Sequence, residues 1–257
     1  MMIWHGLCLA LQFLTVFPLG KEVPWEAKTA RWSVRMFPVV GVLVGSVQAI
    51  IYWLFVQTPV SPLFLSLSLL FLAIFLSGGL HADGWMDVSD AFFSYRDKER
   101  RLDIMKDSRV GAFAVLSIIF LLSFRFVFLY EVMHQHVAPV VFIVVPFFSR
   151  SFMSLLLLYG KLAKPTGMAA AFREHVTKGD ARFIIVLLSI GIAGFSVVRP
   201  VETILLAIGA FFSLLGARSF YERQFGGITG DMLGAFVEGT EVWLWFILWL
   251  LPFFVTA

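Results

Sequence analysis

The sequence predicts an all-α, polytopic integral membrane bundle of about six to eight hydrophobic helices, and three observations carry that expectation. Of 257 residues, 60% are hydrophobic and 14% charged, against roughly 45–50% and about 25% in soluble domains. Apolar runs approaching the ~20 residues that cross a bilayer recur along the chain. The basic residues fall in the polar segments between those runs, which gives them a topological reading and not a nucleic-acid one at a net charge of +3. A single cysteine, Cys8, excludes a disulfide framework within the chain.

Taken in order, Ile3 to Phe17 is apolar but short for a crossing, so a tilted, re-entrant or interfacial helix is expected. No basic stretch precedes it and no small-residue cleavage pattern follows, so a cleaved signal peptide is not expected. Lys21 to Arg35 is polar. Met36 to Val56 reads as a span in which Gly41 and Gly45, four residues apart, permit close helix packing. Pro59 and Pro62 break helices on either side of a turn. Leu63 to Leu80 reads as a second span, Val110 to Met133 as a third and Val137 to Tyr159 as a fourth, the last following an HQHVAP turn. A polar, basic loop occupies Gly160 to Arg182. Phe183 to Val198 and Val201 to Arg218 form a hairpin of spans turning at Arg199-Pro200, and a last run, Val242 to Val255, is again short for a crossing. Neither repeat nor low-complexity tract interrupts the chain, so residues 1–257 read as a single transmembrane catalytic domain.

These boundaries put Lys21 to Arg35, Gly78 to Arg109, Gly160 to Arg182 and Arg218 to Glu241 on one side of the membrane. Every basic residue except Arg125, Arg150 and Arg199 lies there, and the positive-inside rule makes that side cytoplasmic.

The acidic segment GGLHADGWMDVSDAFFSYRDKERRLDIMKDSR, Gly78 to Arg109, is what hydrophobic packing does not explain. On a helix Asp83, Asp87 and Asp90, at i, i+4 and i+7, share one face and repel. A hard divalent cation such as Mg2+, which prefers carboxylate oxygens and bridges to phosphates, is the simplest species to hold there. A solvated loop that merely avoids the bilayer is the plain alternative. His81 precedes the first Asp and has the pKa of a proton carrier, though a lone His is as often a local hydrogen-bonding residue. In Lys106-Asp107-Ser108-Arg109, Asp107 is a further candidate metal ligand and Lys106 and Arg109 candidate phosphate ligands; the alternative is an interfacial anchor. In GGITGDMLGAFVE, Gly226 to Glu238, the glycines permit a tight turn, after which Asp231 and Glu238 would share a helix face. A packing turn is the alternative, and no P-loop is present. Arg125 and Arg150 lie inside apolar spans that contain almost no acid to pair with, so a substrate phosphate is the expected counter-ion, with structural pairing as the alternative.

Together, GGLHADGWMDVSDA, IMKDSRVGAF and GGITGDMLGAFVE, with LQFLTVFPL near the start and FPVVGVLVG around residue 40, resemble the adenosylcobinamide-GDP ribazoletransferase (cobalamin synthase) family over most of the chain. The resemblance implies transfer of the adenosylcobinamide-phosphate part of adenosylcobinamide-GDP to alpha-ribazole or its 5'-phosphate, releasing GMP. It also implies Mg2+ as cofactor and a location in the bacterial cytoplasmic membrane, and is compatible with association with other cobamide-assembly enzymes. The family pattern HxDGxxDxxDG lands on His81, Asp83, Gly84, Asp87 and Asp90, with Ala91 where the family usually has Gly and Ala82 where it usually has Leu. The pattern MKDSR lands on Met105 to Arg109, and GGxTGDxxGAxxE on Gly226 to Glu238. The metal ligands expected are Asp83, Asp87, Asp90 and Asp107, and the catalytic group is His81, Asp90, Asp231 and Glu238. Lys106, Arg109, Arg125, Arg150, Gly227 and Thr229 are expected on substrate. Asp90 stands as either base or ligand. The site is similar to a distant, incomplete form of that in CDP-alcohol phosphotransferases, whose full pattern this chain lacks. A transporter would also carry intramembrane arginines, but it would place polar groups at mid-span and not beyond the span ends.

Overall fold

The computed structural model describes residues 2–20, 23–135 and 137–255, and Lys21, Glu22 and His136 of the segments named above lie outside them. Among the described residues the chain is all helix, with one isolated backbone bridge between Leu162 and Ile228. Six helices are long and apolar enough to cross a membrane: α2 (Ala27–Phe55), α6 (Ala112–His134), α7 (Val141–Tyr159), α9 (Lys178–Ser196), α10 (Pro200–Phe225) and α11 (Gly230–Leu250). With α1 (Met2–Leu14), α3 (Pro62–Leu76) and α4 (Leu80–Phe93) these form the bundle, while α5 (Lys98–Ile104), α8 (Met168–Arg173) and α12 (Pro252–Val255) are short.

The centre is α7, whose residues from Val141 to Leu158 are all buried except the half-buried Ile143. Lipid tails are as apolar as leucine, so helices meet in a membrane by close packing, and small residues set how close. The glycines picked out in sequence do this: a Cβ on Gly41 would run into the backbone of Pro146, and one on Gly45 into that of Phe142 and Ile143. Outward, Phe71 and Phe75 of α3, Phe120 and Phe124 of α6, and Phe211 and Phe212 of α10 are exposed to the surroundings a bilayer would fill.

Three spans differ from the sequence expectation. The run Leu63 to Leu80 is not one continuous helix. At 15 residues α3 is about 22 Å long, short of the ~30 Å hydrocarbon core. The chain then turns by 87° into α4. Gly78 and Gly79 make the turn at φ of 64° and 75°, values a side chain disfavours. The α2 helix begins well before Met36 and passes through Pro38. The last spanning helix, α11, starts at Gly230, not at Val242, because Thr229 caps it by accepting from the Met232 amide at 3.4 Å. That earlier start carries Asp231, Glu238 and Glu241 onto the span.

The polar segments gather at one end of the bundle. The basic loop after α7 is pinned to the α10–α11 turn, where the Ile228 amide donates to the Lys161 carbonyl at 2.7 Å and the Ala163 amide to that of Ile228 at 3.0 Å. Arg101 of α5 donates to Gln224 at the end of α10 at 2.7 Å. Arg31 and Arg35 of α2 both bind the buried Asp180 at the start of α9, at 2.7 and 2.5 Å. At the other end Tyr52 donates to the Val137 carbonyl, and Gln135 to that of Trp249.

Candidate active site

The acidic segment is helical, as its spacing required, so α4 presents Asp83, Asp87 and Asp90 along one face. Their charges act on one another: Asp87 feels Asp83 and Asp90, and also Asp231 from the first turn of α11. The two helices are drawn together by glycine. A Cβ on Gly84 would overlap the backbone of Asp231, and one on Gly234 would come within 3.1 Å of the His81 Cα. On the other flank, a Cβ on Gly111 would overlap both carboxylate oxygens of Asp90, which therefore sits against the N-terminal cap of α6, where the helix dipole favours an anion.

None of these four carboxylates forms an ion pair among the described residues, whereas Asp103, Asp107, Asp180, Glu202, Glu222, Glu238 and Glu241 all do. Four carboxylates without an ion pair fit a hard divalent cation in charge and in donor type. As they stand, no three acids among the described residues converge tightly enough to hold one.

Cations face the row from the neighbouring loop. Lys164 donates to the Leu102 carbonyl at 3.1 Å and acts electrostatically with Asp231, Asp103 and Lys106. Burial, reinforced by Lys106, holds its ammonium below the usual lysine range. Lys164 was not among the residues singled out in sequence, where it is one of several basic residues in a long loop; only the Leu162–Ile228 bridge brings it to the site.

The structure separates other expected members from the row. Asp107 is not a fourth carboxylate beside Asp83, Asp87 and Asp90. It is turned to Arg109, with its Oδ2 2.5 Å from the guanidinium, and the hydrogen bonds that it accepts from the Arg109 side chain and backbone amide pull its carboxyl down to about 2. Asp231 takes the fourth place. Lys106 binds Asp103 at 2.9 Å and both side chains are exposed, as is Arg109. His81 lies on the far side of α4, roughly 200° around the helix from Asp83, buried and with no hydrogen-bond partner on either ring nitrogen. Gly227 packs on the backbone of Leu162, and Thr229 is the α11 cap, its hydroxyl 3.4 Å from the Asp231 Oδ2.

The expectation that Arg125 and Arg150 lack acidic partners is corrected. Arg125 of α6 binds Glu238 at 2.8 Å and also Glu241, while Arg150 of α7 binds Glu241. Ser149 donates to Glu241 at 3.1 Å. All four charged side chains are buried and they cancel in pairs. Glu238, expected in catalysis, is a counter-ion two turns below Asp231. Hydropathy starts the last span at Val242, one residue beyond Glu241, and so leaves both acids outside it.

The family model of cobalamin-5-phosphate synthase matches residues 6–249. Adenosylcobinamide-GDP ribazoletransferases are similar along their length: that of a Geobacillus species (strain WCH70) is 56% identical, covering 98% of both chains. Those of Geobacillus thermodenitrificans and Clostridium tetani are 50% and 32% identical, covering 96% and 93% of both chains. No solved structure matches.

Proposed function

The chain belongs to the cobalamin-5-phosphate synthase family, and from that premise we propose that it is an adenosylcobinamide-GDP ribazoletransferase whose reaction takes place over the α4 acid row. The observation that carries the siting is the set of four carboxylates without an ion pair, Asp83, Asp87, Asp90 and Asp231, with Lys164 acting on Asp231 and Lys106 beyond it on Asp103. In the reaction, the 3'-hydroxyl oxygen of alpha-ribazole or its 5'-phosphate bonds to the phosphorus attached to adenosylcobinamide. The bond from that phosphorus to the bridging oxygen breaks, and GMP leaves with that oxygen. The hydroxyl proton goes to a carboxylate, which we assign to Asp231, because it stands where the row meets α11.

Lys164 and Lys106 bind the pyrophosphate, and Arg109 at the rim exchanges Asp107 for a substrate phosphate, a trade favoured by the guanidinium's fork of donors. Asp83, Asp87 and Asp90 would hold Mg2+, which supplies neutralisation of the charge on the transferred phosphoryl and on GMP. Arg125 and Arg150, already balanced by Glu238 and Glu241, keep the helices behind the row in register. The polar end carries most of the basic residues, so we assign it to the cytoplasm, where nucleotide substrates and Mg2+ are found.

The decisive experiment is turnover by purified protein in detergent or liposomes, with adenosylcobinamide-GDP and alpha-ribazole 5'-phosphate, with and without Mg2+. Metal-dependent formation of cobamide phosphate and GMP in equal amounts is expected. Product at equal rate in a chelator removes the metal from this reading. No product with either ribazole form from folded protein removes the reaction, and returns attention to Ala91.

A further inference from the structure

The face of α4 opposite the acid row closes a cavity of about 170 Å³. Phe13 of α1, Phe37 of α2, Met153 of α7 and Phe172 of α8 line it, with His81 and Asp231. The three phenylalanines are packed on one another, Phe172 edge-on to Phe13 at 5.1 Å and to Phe37 at 5.7 Å. His81 is 2% exposed and has no hydrogen-bond partner on Nδ1 or Nε2. A buried imidazole with both nitrogens unanswered is a group waiting for a ligand, since buried polar atoms are ordinarily paired. Asp231 belongs to both places: it walls the cavity and acts on Asp87 of the row.

We infer that this cavity is the seat of the acceptor's heteroaromatic base, with His81 hydrogen-bonded to its one free ring nitrogen and the ribose emerging beside Asp231. The inference rests on the proposed reaction and adds where one substrate binds. Size and polarity select the occupant. A dry cavity of ~150 Å³ accepts benzene, so this one accepts a compact ring system and excludes a corrin. A guanine has donors and acceptors around both rings, more than His81 and the Asp231 carboxylate can answer on an otherwise aromatic and aliphatic lining, so part of its polar edge would be buried unpaired. The benzimidazole of alpha-ribazole has one free nitrogen and is otherwise apolar. Neutral imidazole has a donor to offer that nitrogen. The two substrates are thereby sorted: the base of the acceptor goes under α4, and the polar guanosine diphosphate half of the donor stays over the row. The larger grooves, about 690 and 410 Å³, share the Trp85 indole, whose buried N–H also lacks a partner; that group can only donate and no carboxylate lines either groove, so neither places an acceptor's ribose beside an acid of the row.

The test has two arms on the full-length protein in detergent. In the first, equilibrium dialysis measures binding of alpha-ribazole itself, without donor. Saturable binding is expected, weakened at least ~10-fold by Ala169→Phe, which puts a ring into the cavity from a lining position on α8, as for a mismatched apolar pocket. In the second, turnover compares the benzimidazole riboside with its indole analogue, in which CH replaces the free nitrogen, on wild type and on His81→Phe. Wild type should prefer the benzimidazole acceptor by up to ~10-fold, about one hydrogen bond, and His81→Phe should treat the two alike, with the donor KM unchanged. The wild-type comparison needs no variant to fold. An unaltered preference in His81→Phe, equal use of both acceptors by wild type, or alpha-ribazole binding untouched by Ala169→Phe would each overturn the inference while leaving the reaction intact. Binding in the first arm with no turnover in the second would leave the cavity assigned and overturn the reaction.

Discussion

At the scale of single residues, what distinguishes Asp83 from Asp107 is the company each keeps. Both are acids at the polar end, but Asp107 has Arg109 on it, whereas Asp83 has no ion pair among the described residues and acts on Asp87 and Asp231. Asp83 is exposed, so removing it takes away a proposed metal ligand and little packing. Asp83→Ala should lower turnover by at least about a hundredfold with an unchanged elution profile and thermal midpoint; normal turnover at saturating Mg2+ would withdraw it from the site. Asp107→Asn should leave the thermal midpoint unchanged, because the pair is exposed. Its pH behaviour has a definite sign. The folded carboxyl is held at about 2, below its unfolded value near 4, so any contribution is complete above pH 4 and is lost as pH falls toward 2. Lys164 works the other way. Its ammonium is held below the ordinary lysine value, so the charge disappears as pH rises through that lowered value, before a free lysine would lose it. The donor KM should rise on the alkaline side, and Lys164→Arg should move that limb upward. A limb that stays put in the arginine variant assigns it elsewhere.

Among helices, position is set by glycines placed where two backbones touch. Gly84 lets α4 meet the start of α11, and Gly111 lets α6 begin against Asp90. Gly111→Ala would place a methyl on the Asp90 carboxylate. The expected outcome is a folded protein whose turnover falls about tenfold or more, in keeping with the sensitivity of catalysis to displacements of ~1 Å. Gly216, where a Cβ would meet nothing, is the control, and Gly216→Ala should be silent. Equal activity in the two variants would show that the cap does not position Asp90.

For the molecule as a whole, two pairs of opposite charges hold α6, α7 and α11 together inside an apolar bundle. Removing one member leaves its partner buried and uncompensated, which typically costs ~3–5 kcal/mol. Glu241→Ala, which strips counter-charge from both Arg125 and Arg150, should lower the unfolding midpoint in detergent more than Glu238→Ala does. If both variants melt like wild type, the network is not structural, and the arginines become free to be read as substrate ligands again. The orientation of the bundle is checked by placing single cysteines at Lys161 and Arg199, at opposite ends, and labelling with a membrane-impermeant maleimide in sealed vesicles. Opposite accessibility is expected, with Lys161 reached only from the cytoplasmic side. Cys8 is buried and should stay silent.

The sequence by itself determined the membrane class, the all-helical architecture and the acid row. Each is a matter of composition or of spacing along one element: apolar length fits a bilayer, and residues at i, i+4 and i+7 share a helix face whatever packs beside them. Gly41 and Gly45 were legible for the same reason. Tertiary structure alone decided which groups from different elements meet. The turn at Gly78 and Gly79 breaks a run that hydropathy reads as continuous. The Thr229 cap starts α11 early enough to carry Glu238 and Glu241 into the membrane, where they answer Arg125 and Arg150. The Leu162–Ile228 bridge brings Lys164 to Asp231, and the helix crossing buries His81 away from the acids only a few residues ahead of it. Hydropathy averages over a window and cannot see a cap or a charge that has found its partner, because an ion pair is a property of two elements and the cost of burying either charge disappears only when both are in place.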